Sequence, residues 1–292
     1  MSLVDDSGIS LETVETIVQL RARIQHWKSM GESIALVPTM GNLHDGHLAL
    51  VKAAEASSRR TVVSIFVNPM QFGKNEDFNT YPRTLTDDIR KLSHYPVDLV
   101  FAPTIAEIYP QGTETTTQVI VQGLSDILEG EYRPGFFTGV ATVVNKLFNI
   151  VQPDIAWFGE KDYQQLLVIR QMVRDLALPI EIHALPTIRE VDGLAMSSRN
   201  NYLDEKQRRL AVKLYRCLRH VVDSSQQGMA YHYAVVHACQ ELDEAGFITD
   251  YVVVRRREDL EVPSEHDKSL IVLAAARLGD TRLIDNLAFE LM

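Results

Sequence analysis

Short apolar runs alternate with helical patterns through the first two thirds of the chain, as a parallel sheet wrapped by helices reads in sequence. Strands are predicted at 33 to 38, 61 to 67, 97 to 101, 154 to 158 and 179 to 185. Val140, Val143, Val144, Leu147, Phe148 and Val151 recur at three- and four-residue spacing, which predicts a helix over 138 to 152. Leu166, Ile169, Val173 and Leu176 repeat that spacing after Asp162, and a further helix pattern runs from 48 to 57. From 186 to 192 the chain reads as a passage out of this domain, and the rhythm then changes. Two long helix patterns, 205 to 224 and 231 to 244, precede strand-like runs at 250 to 255, 269 to 275 and 281 to 285, close enough together for a small antiparallel sheet. The expectation is an α/β protein with a Rossmann-like parallel-sheet domain over 1 to 187 and a smaller C-terminal α+β domain over 188 to 292. The first ten or so residues read as a tail.

Composition narrows the function without choosing it. Of 292 residues 46% are hydrophobic and 23% charged, the balance of a globular chain with a sizeable core. A net charge of -10 and the lack of any dense basic run argue against affinity built on many nucleic-acid phosphates. Arg255, Arg256 and Arg257 read as a solvated strand end. An acidic chain still has room for a nucleotide, because a few amides and cations suffice for one triphosphate. No window approaches the roughly 18 apolar residues of a membrane span. Asp5 and Asp6 stand where a secretion signal would be basic, so a cytoplasmic protein is expected. Cys217 and Cys239 lack metal-ligand spacing and read as buried free thiols of a reducing compartment.

Ligands of an open parallel sheet gather beyond the carboxyl ends of its strands, where helices begin. After the first strand comes Pro38, Thr39, Met40, Gly41, then His44, Gly46 and His47 at a helix entry. Gly46 leaves no side chain between the histidines, so a phosphate can approach the helix-end amides while both imidazoles donate to it. Read alone, the pair is better taken as a capping histidine beside a surface one; a zinc pair would need a third ligand, which the spacing does not supply. Beyond the second strand lie Asn68 and Gln71, amides able to bind hydroxyl and carboxylate groups or simply to form an Asn-Pro turn. Tyr81, Arg83, Asp87 and Asp88 follow; one of the two aspartates suits a magnesium ion held mainly by waters and phosphates, and a solvated first helical turn is the alternative. The third segment, Phe158 to Gln165, carries Lys161 as a mobile charge for a triphosphate and Asp162 as a helix cap or ribose acceptor. Met196, Ser197, Ser198 and Arg199 form the fourth, where two hydroxyls and a guanidinium suit a departing pyrophosphate or an ordinary polar loop.

Strand, Pro-Thr-Met-Gly, His-x-Gly-His and helix together resemble the signature of the nucleotidyltransferase superfamily that includes class I aminoacyl-tRNA synthetases. With Asn68 to Gly73, Tyr81 to Arg83, Phe158 to Asp162, Gln164, Gln165 and Met196 to Asn200 in register, the chain resembles the pantothenate synthetase family from about residue 10 onward. The resemblance implies condensation of pantoate with beta-alanine through a pantoyl-adenylate, with ATP and magnesium, in a homodimer whose C-terminal domain acts as a lid. It implies that His44 and His47 bind ATP phosphates, and that Lys161, Ser197, Ser198 and Arg199 grip the triphosphate. Gly159 and Asp162 would hold the adenosine, with Met40, Gly41 and Met196 bordering the nucleotide. Asn68, Gln71, Gln165 and Tyr81 would serve pantoate, and Asp88 would help place magnesium. The chain departs from the family at Phe136: a histidine usually follows Arg-Pro-Gly, and phenylalanine neither donates a hydrogen bond nor carries a proton. The rival readings are another nucleotidyltransferase, which would need a cationic acceptor pocket where Asn68, Gln71 and Gln165 are neutral, and a nucleotide-binding protein without turnover.

Overall fold

The apolar runs pair into one sheet because each is too short to bury both faces alone. A computed structural model describes residues 2 to 4, 10 to 73 and 76 to 291. By contact the chain divides into two compact units, one of residues 1 to 160 and 168 to 185, the other of 161 to 167 and 186 to 292.

The strands of the first unit are β1 (Ser2–Val4), β2 (Ser10–Val14), β3 (Ile34–Thr39), β4 (Arg60–Ile65), β5 (Leu99–Phe101), β6 (Ile155–Gly159) and β7 (Glu181–Leu185). They lie in the order β1-β2-β5-β4-β3-β6-β7. All pairings from β2 to β7 are parallel, and β1 adds an antiparallel edge. The connections carry α1 (Ile17–Ser29), α2 (Asp45–Ser57), α3 (Leu85–Leu92), α4 (Ile105–Ile108), α5 (Glu129–Tyr132), α6 (Phe136–Val151) and α7 (Tyr163–Asp175). Leu36, Val37, Val62, Val63, Val100 and Ala156 are wholly buried, which is why these strands read as continuous apolar runs. From the neighbours β3 and β6 the chain proceeds in opposite directions across the sheet, so their carboxyl ends mark the topological switch point.

The pattern reading leaves 11 to 32 unassigned, and the structure places β2 and α1 there. A signal was present: Thr16 and Gln19 form a capping box, and Leu20, Ile24 and Trp27 fall on one buried face. Of the expected tail, residues 1 and 5 to 9 lie outside the described residues, while Ser2–Val4 pairs with β2.

In the second unit α8 (Glu205–Gln226) and α9 (Tyr231–Glu244) precede β8 (Ile248–Arg256), β9 (Ser269–Leu278) and β10 (Thr281–Glu290). The three strands form an antiparallel sheet with β9 in the centre. Leu218, Val221, Ala238, Val272 and Ala274 belong to its core. Burial pushes the Cys217 thiol up to about 12, with Glu241 adding to the effect, so it stays an inert protonated core residue at neutral pH. Among the described residues no helix is long and apolar enough to cross a membrane.

Gly139 is the tightest joint between α6 and the turn Pro69–Gln71. A Cβ built there would lie 2.1 Å from the Met70 carbonyl oxygen, a backbone atom that cannot swing aside. Gly139→Ala is expected to destabilise the protein by about 1–3 kcal/mol through overpacking. Urea unfolding measures this, and a midpoint equal to that of the parent chain would show the joint to be loose.

Candidate active site

Beyond β3 the backbone turns through two left-handed residues, Gly41 (φ 80°) and Asn42 (φ 50°). Glycine suits the first on two grounds: it tolerates positive φ, and a Cβ there would stand 3.0 Å from Asp88 Oδ2. Asp88 holds the turn. Its Oδ2 accepts the Asn42 N–H at 2.9 Å and the Thr84 hydroxyl at 3.1 Å, and its Oδ1 accepts the Leu43 N–H at 2.8 Å. Lys91 Nζ donates to the Leu43 carbonyl at 2.6 Å.

This corrects the expectation that Asp88 helps place magnesium. A hydrated magnesium ion needs a carboxylate oxygen reachable from water. Asp88 is 0% exposed, and both its oxygens are taken up by donors of its own unit. Among the described residues no group of three or more His, Cys, Asp or Glu side chains could hold a metal ion.

The held turn delivers His44 as the N-cap of α2. His44 Nδ1 accepts the Gly46 N–H at 3.2 Å, and His47 Nδ1 accepts the His44 N–H at 3.3 Å, a capping box made of two imidazoles. The rings lie 4.1 Å apart between centroids. An imidazole nitrogen that accepts from a backbone N–H carries no proton, so the proton of each neutral ring sits on Nε2. Both rings are thereby set as Nε2 donors at a helix N-terminus, where the macrodipole also favours an anion. The capping and phosphate readings left open by the sequence are therefore compatible, since Nδ1 caps and Nε2 donates. Gly159 ends β6 at the same switch point.

Asn68 and Gln71 do meet, though in unequal roles. Asn68 Nδ2 donates to Gln71 Oε1 at 3.0 Å and to the Gly139 carbonyl at 3.1 Å. Its Oδ1 accepts from the Tyr109 hydroxyl at 2.8 Å and the Met70 N–H at 3.3 Å. An amide side chain has two N–H donors and two acceptor positions, and all four are in use. Asn68, expected to bind pantoate directly, is instead a buried positioning residue that orients Gln71. Among the described residues nothing hydrogen-bonds the Gln71 Nε2, which keeps both donors for a ligand. Tyr81, also expected to serve pantoate, is 5% exposed and packs edge-on against Phe72. Met40 and Gly41 line a cavity of about 230 Å³ with Ile65, Arg83, Thr84 and Asp88, which the histidines and amides do not share.

Sequence reasoning passed over Tyr109 and Gly139 and read Arg133 only as part of the Arg-Pro-Gly run before Phe136. A usable signal was Gly139 itself, a glycine inside an otherwise apolar helix pattern. Tyr109 is a buried phenol whose proton is held well above the usual range by desolvation, so it serves only as a donor to Asn68. Arg133 donates through Nε and a terminal nitrogen to Glu76 at 2.7 and 2.6 Å, and to the Gln71 carbonyl at 3.2 Å. Phe136 is the platform beneath it, with the guanidinium carbon 3.7 Å from the ring centroid.

The second unit carries the remaining candidates. Lys161 Nζ lies 3.8 Å from Asp162 Oδ1, and Gln165 stands half-buried in the first turn of α7. Met196 N–H donates to the Ile188 carbonyl at 3.0 Å and starts a loop in which Ser197 Oγ accepts the Arg199 N–H at 3.3 Å. Ser198–Tyr202 then form one 3-10 turn. Lys161, Asp162, Gln165 and the loop from Met196 to Arg199 thus fall in one compact unit, and His44, His47, Gln71 and Gly159 in the other.

The profile of the pantoate-beta-alanine ligase family matches residues 12–288. The chain belongs to that family. A pantothenate synthetase of Shewanella loihica is 54% identical over 95% of this chain and 99% of its own length. Among solved structures, a pantothenate synthetase from Thermus thermophilus superposes with a TM-score of 0.89 at 46% identity, covering 95% of this chain and 99% of that one. A pantoate-beta-alanine ligase from Francisella tularensis, complexed with beta-gamma ATP and beta-alanine, gives a TM-score of 0.81 at 33% identity, over 95% of this chain and 97% of that one. Within this family, the chain presents the paired histidines on a turn fixed by a buried aspartate.

Removing that aspartate tests its role apart from any metal. Asp88→Ala leaves the buried Leu43 N–H, the half-buried Asn42 N–H and the Thr84 hydroxyl without their acceptor and should cost on the order of 2–4 kcal/mol. Urea unfolding with and without magnesium reads it. The loss should be the same in both, and a loss seen only with magnesium would restore the metal-ligand role.

Proposed function

We propose that the protein condenses pantoate with beta-alanine at the expense of ATP, releasing AMP and pyrophosphate. One observation carries the reading most: two imidazoles at the N-terminus of α2 whose Nδ1 atoms both accept backbone N–H groups, so that both Nε2 atoms bear protons toward an anion. In the first step a pantoate carboxylate oxygen attacks the α-phosphorus of ATP, and the bond to the β-phosphate oxygen breaks to free pyrophosphate. In the second, the amine of beta-alanine attacks the acyl carbon of the pantoyl-adenylate, AMP departs with the oxygen, and the nitrogen gives up its proton. No enzyme nucleophile takes part.

In this reading His44 and His47 donate to the phosphates. Lys161, Ser197, Ser198 and Arg199 bind the triphosphate and the leaving pyrophosphate, and the preorganised donors supply the large electrostatic part of the acceleration. Gly159 and Asp162 serve the adenosine, with Met40, Gly41 and Met196 beside the nucleotide. Gln71 and Gln165 receive pantoate, with Asn68 acting through Gln71. Because Asp88 does not fit as its ligand, magnesium belongs in the proposal to the substrate, carried on the phosphates of ATP. A homodimer working in the cytoplasm completes the proposal, supported by the family resemblance.

The test follows pyrophosphate and AMP release from purified protein with ATP and magnesium, adding pantoate alone and then pantoate with beta-alanine. AMP turnover that needs both acids is expected. ATP binding without pantoate-dependent pyrophosphate would overturn the proposal in favour of a nucleotide-binding protein without turnover. His47→Ala and Lys161→Ala should each slow pantoyl-adenylate formation by on the order of a hundredfold. Single-turnover rates within a few-fold of the parent chain would remove those residues from the chemistry.

A further inference from the structure

Two adjacent polar side chains, Asp285 and Asn286, are buried at 4% and 7% exposure in the middle of β10. Both are poor strand formers, and burying either without partners would be costly. No step of the proposed chemistry touches them. Their partners explain the placement.

Asn286 Nδ2 donates to the Lys161 carbonyl at 2.8 Å. Two residues on, the Tyr163 hydroxyl donates to the Arg257 carbonyl at 2.8 Å. The segment bearing Lys161 is thus tied twice to the strands of the C-terminal sheet or their ends, which is why 161 to 167 cluster with the second unit. Asp285 receives both terminal nitrogens of Arg189, at 2.7 and 2.9 Å. The same guanidinium reaches the carbonyls of Gly193 at 3.1 Å and Asn286 at 3.2 Å, and lies 3.9 Å from the Tyr215 ring centroid. Arg189 is also bridged to Ala195, and Met196 N–H reaches back to the Ile188 carbonyl, so 188 to 196 form a closed hairpin running straight into Ser197. Hydrogen bonds therefore lead from the Lys161 peptide through Asn286, Asp285 and Arg189 to the 188–196 hairpin, whose chain continues directly into the Ser197–Arg199 loop.

We propose that Asn286, backed by the Asp285–Arg189 pair, is a positioning residue that holds the peptide of Lys161 in fixed register with the Ser197–Arg199 loop. It rests on the proposed role of these residues toward the triphosphate. Lysine is a long, mobile side chain, so the placement of its charge depends on where its own backbone is held. The Asn286 bond fixes that backbone to the strand whose neighbouring residue anchors the loop.

Asn286→Ala tests this, with Asp250→Asn as control. Asp250 pairs with Arg282 of β10 at 2.6 Å, so the control weakens the same sheet without touching Lys161. Two readouts are taken: single-turnover pyrophosphate release across ATP concentrations, and amide hydrogen exchange over Lys161–Gln165. Asn286→Ala should lower the rate about ten- to a hundredfold, as expected of a misplaced charge. It should also speed exchange over Lys161–Gln165 while leaving His44–Leu48 unchanged. Asp250→Asn should lower the melting temperature and keep the rate within about threefold. A near-parental rate in Asn286→Ala, or an equal loss of rate in the control, overturns the proposal. Should Asn286→Ala not fold, Asn286→Ser is judged by the same criteria. If the parent chain itself releases no pyrophosphate, the functional reading fails separately. The exchange readout then decides, faster exchange confined to Lys161–Gln165 supporting the positioning and unchanged exchange overturning it.

Discussion

A helix that begins at the end of a parallel strand presents backbone N–H groups with no partner of their own, and the chain must first reach that helix at the right angle. Here the angle is set by one buried carboxylate. Asp88 accepts from the backbone of Asn42 and Leu43, and its Oδ2 stands only 3.0 Å from where a Cβ at position 41 would be. Gly41, the positive φ of Asn42 and the entry of α2 all follow from that contact. So does the capping box, because His44 can cap only if the turn before it delivers its ring to the Gly46 N–H.

The histidine cap suits one pair of rings to two tasks, the capping that is seen and the anion binding that is proposed. An ordinary Asp cap would satisfy the backbone equally well and leave nothing to donate outward. An imidazole that accepts at Nδ1 keeps a donor at Nε2, so capping and anion recognition need no compromise between them. The second unit solves a related problem with different means, since its cations sit on flexible stems. Arg189 is spent on Asp285 and the hairpin, and the orientation of the loop from Ser197 to Arg199 follows from a fork of hydrogen bonds to a buried carboxylate. Burial pushes the Asp285 carboxyl up while the guanidinium opposes it, so this ion pair is better understood as fixing geometry than as adding stability.

The parallel sheet was legible because its strands are buried on both faces, and the histidine and Lys161 segments stood out as candidates because they combine rare chemistry with strand ends. Magnitudes of propensity misled in one place: β10 runs to Glu290, beyond the strand-like run that stops at Asp285, because Asp285 and Asn286 find tertiary partners that outweigh their poor strand preference. The role of Asn68 was illegible for a different reason. Its saturation comes from Tyr109 and Gly139, far away in sequence, and no local pattern announces such a pairing. Asp88 was misjudged likewise, since an aspartate in a first helical turn reads as solvated until the loop it captures is known.

Phe136 is the position where sequence and site bear most directly on chemistry. Its ring supplies a face for the Arg133 guanidinium, and Arg133 in turn holds the carbonyl of Gln71. A phenylalanine therefore keeps the support of the Gln71 turn that an imidazole could also give, and gives up the capacity to accept a proton. In the proposed second step beta-alanine arrives as an ammonium and must lose a proton before its nitrogen can attack. The side chain beside Phe136 is a permanent cation engaged by Glu76, so it cannot take that proton either. An acyl-adenylate is already activated by its departing AMP, so the amine needs orientation more than a strong base. The departure at Phe136 is thus compatible with an enzyme whose barrier is overcome mainly in forming the adenylate, the step to which the paired histidines and Lys161 are assigned.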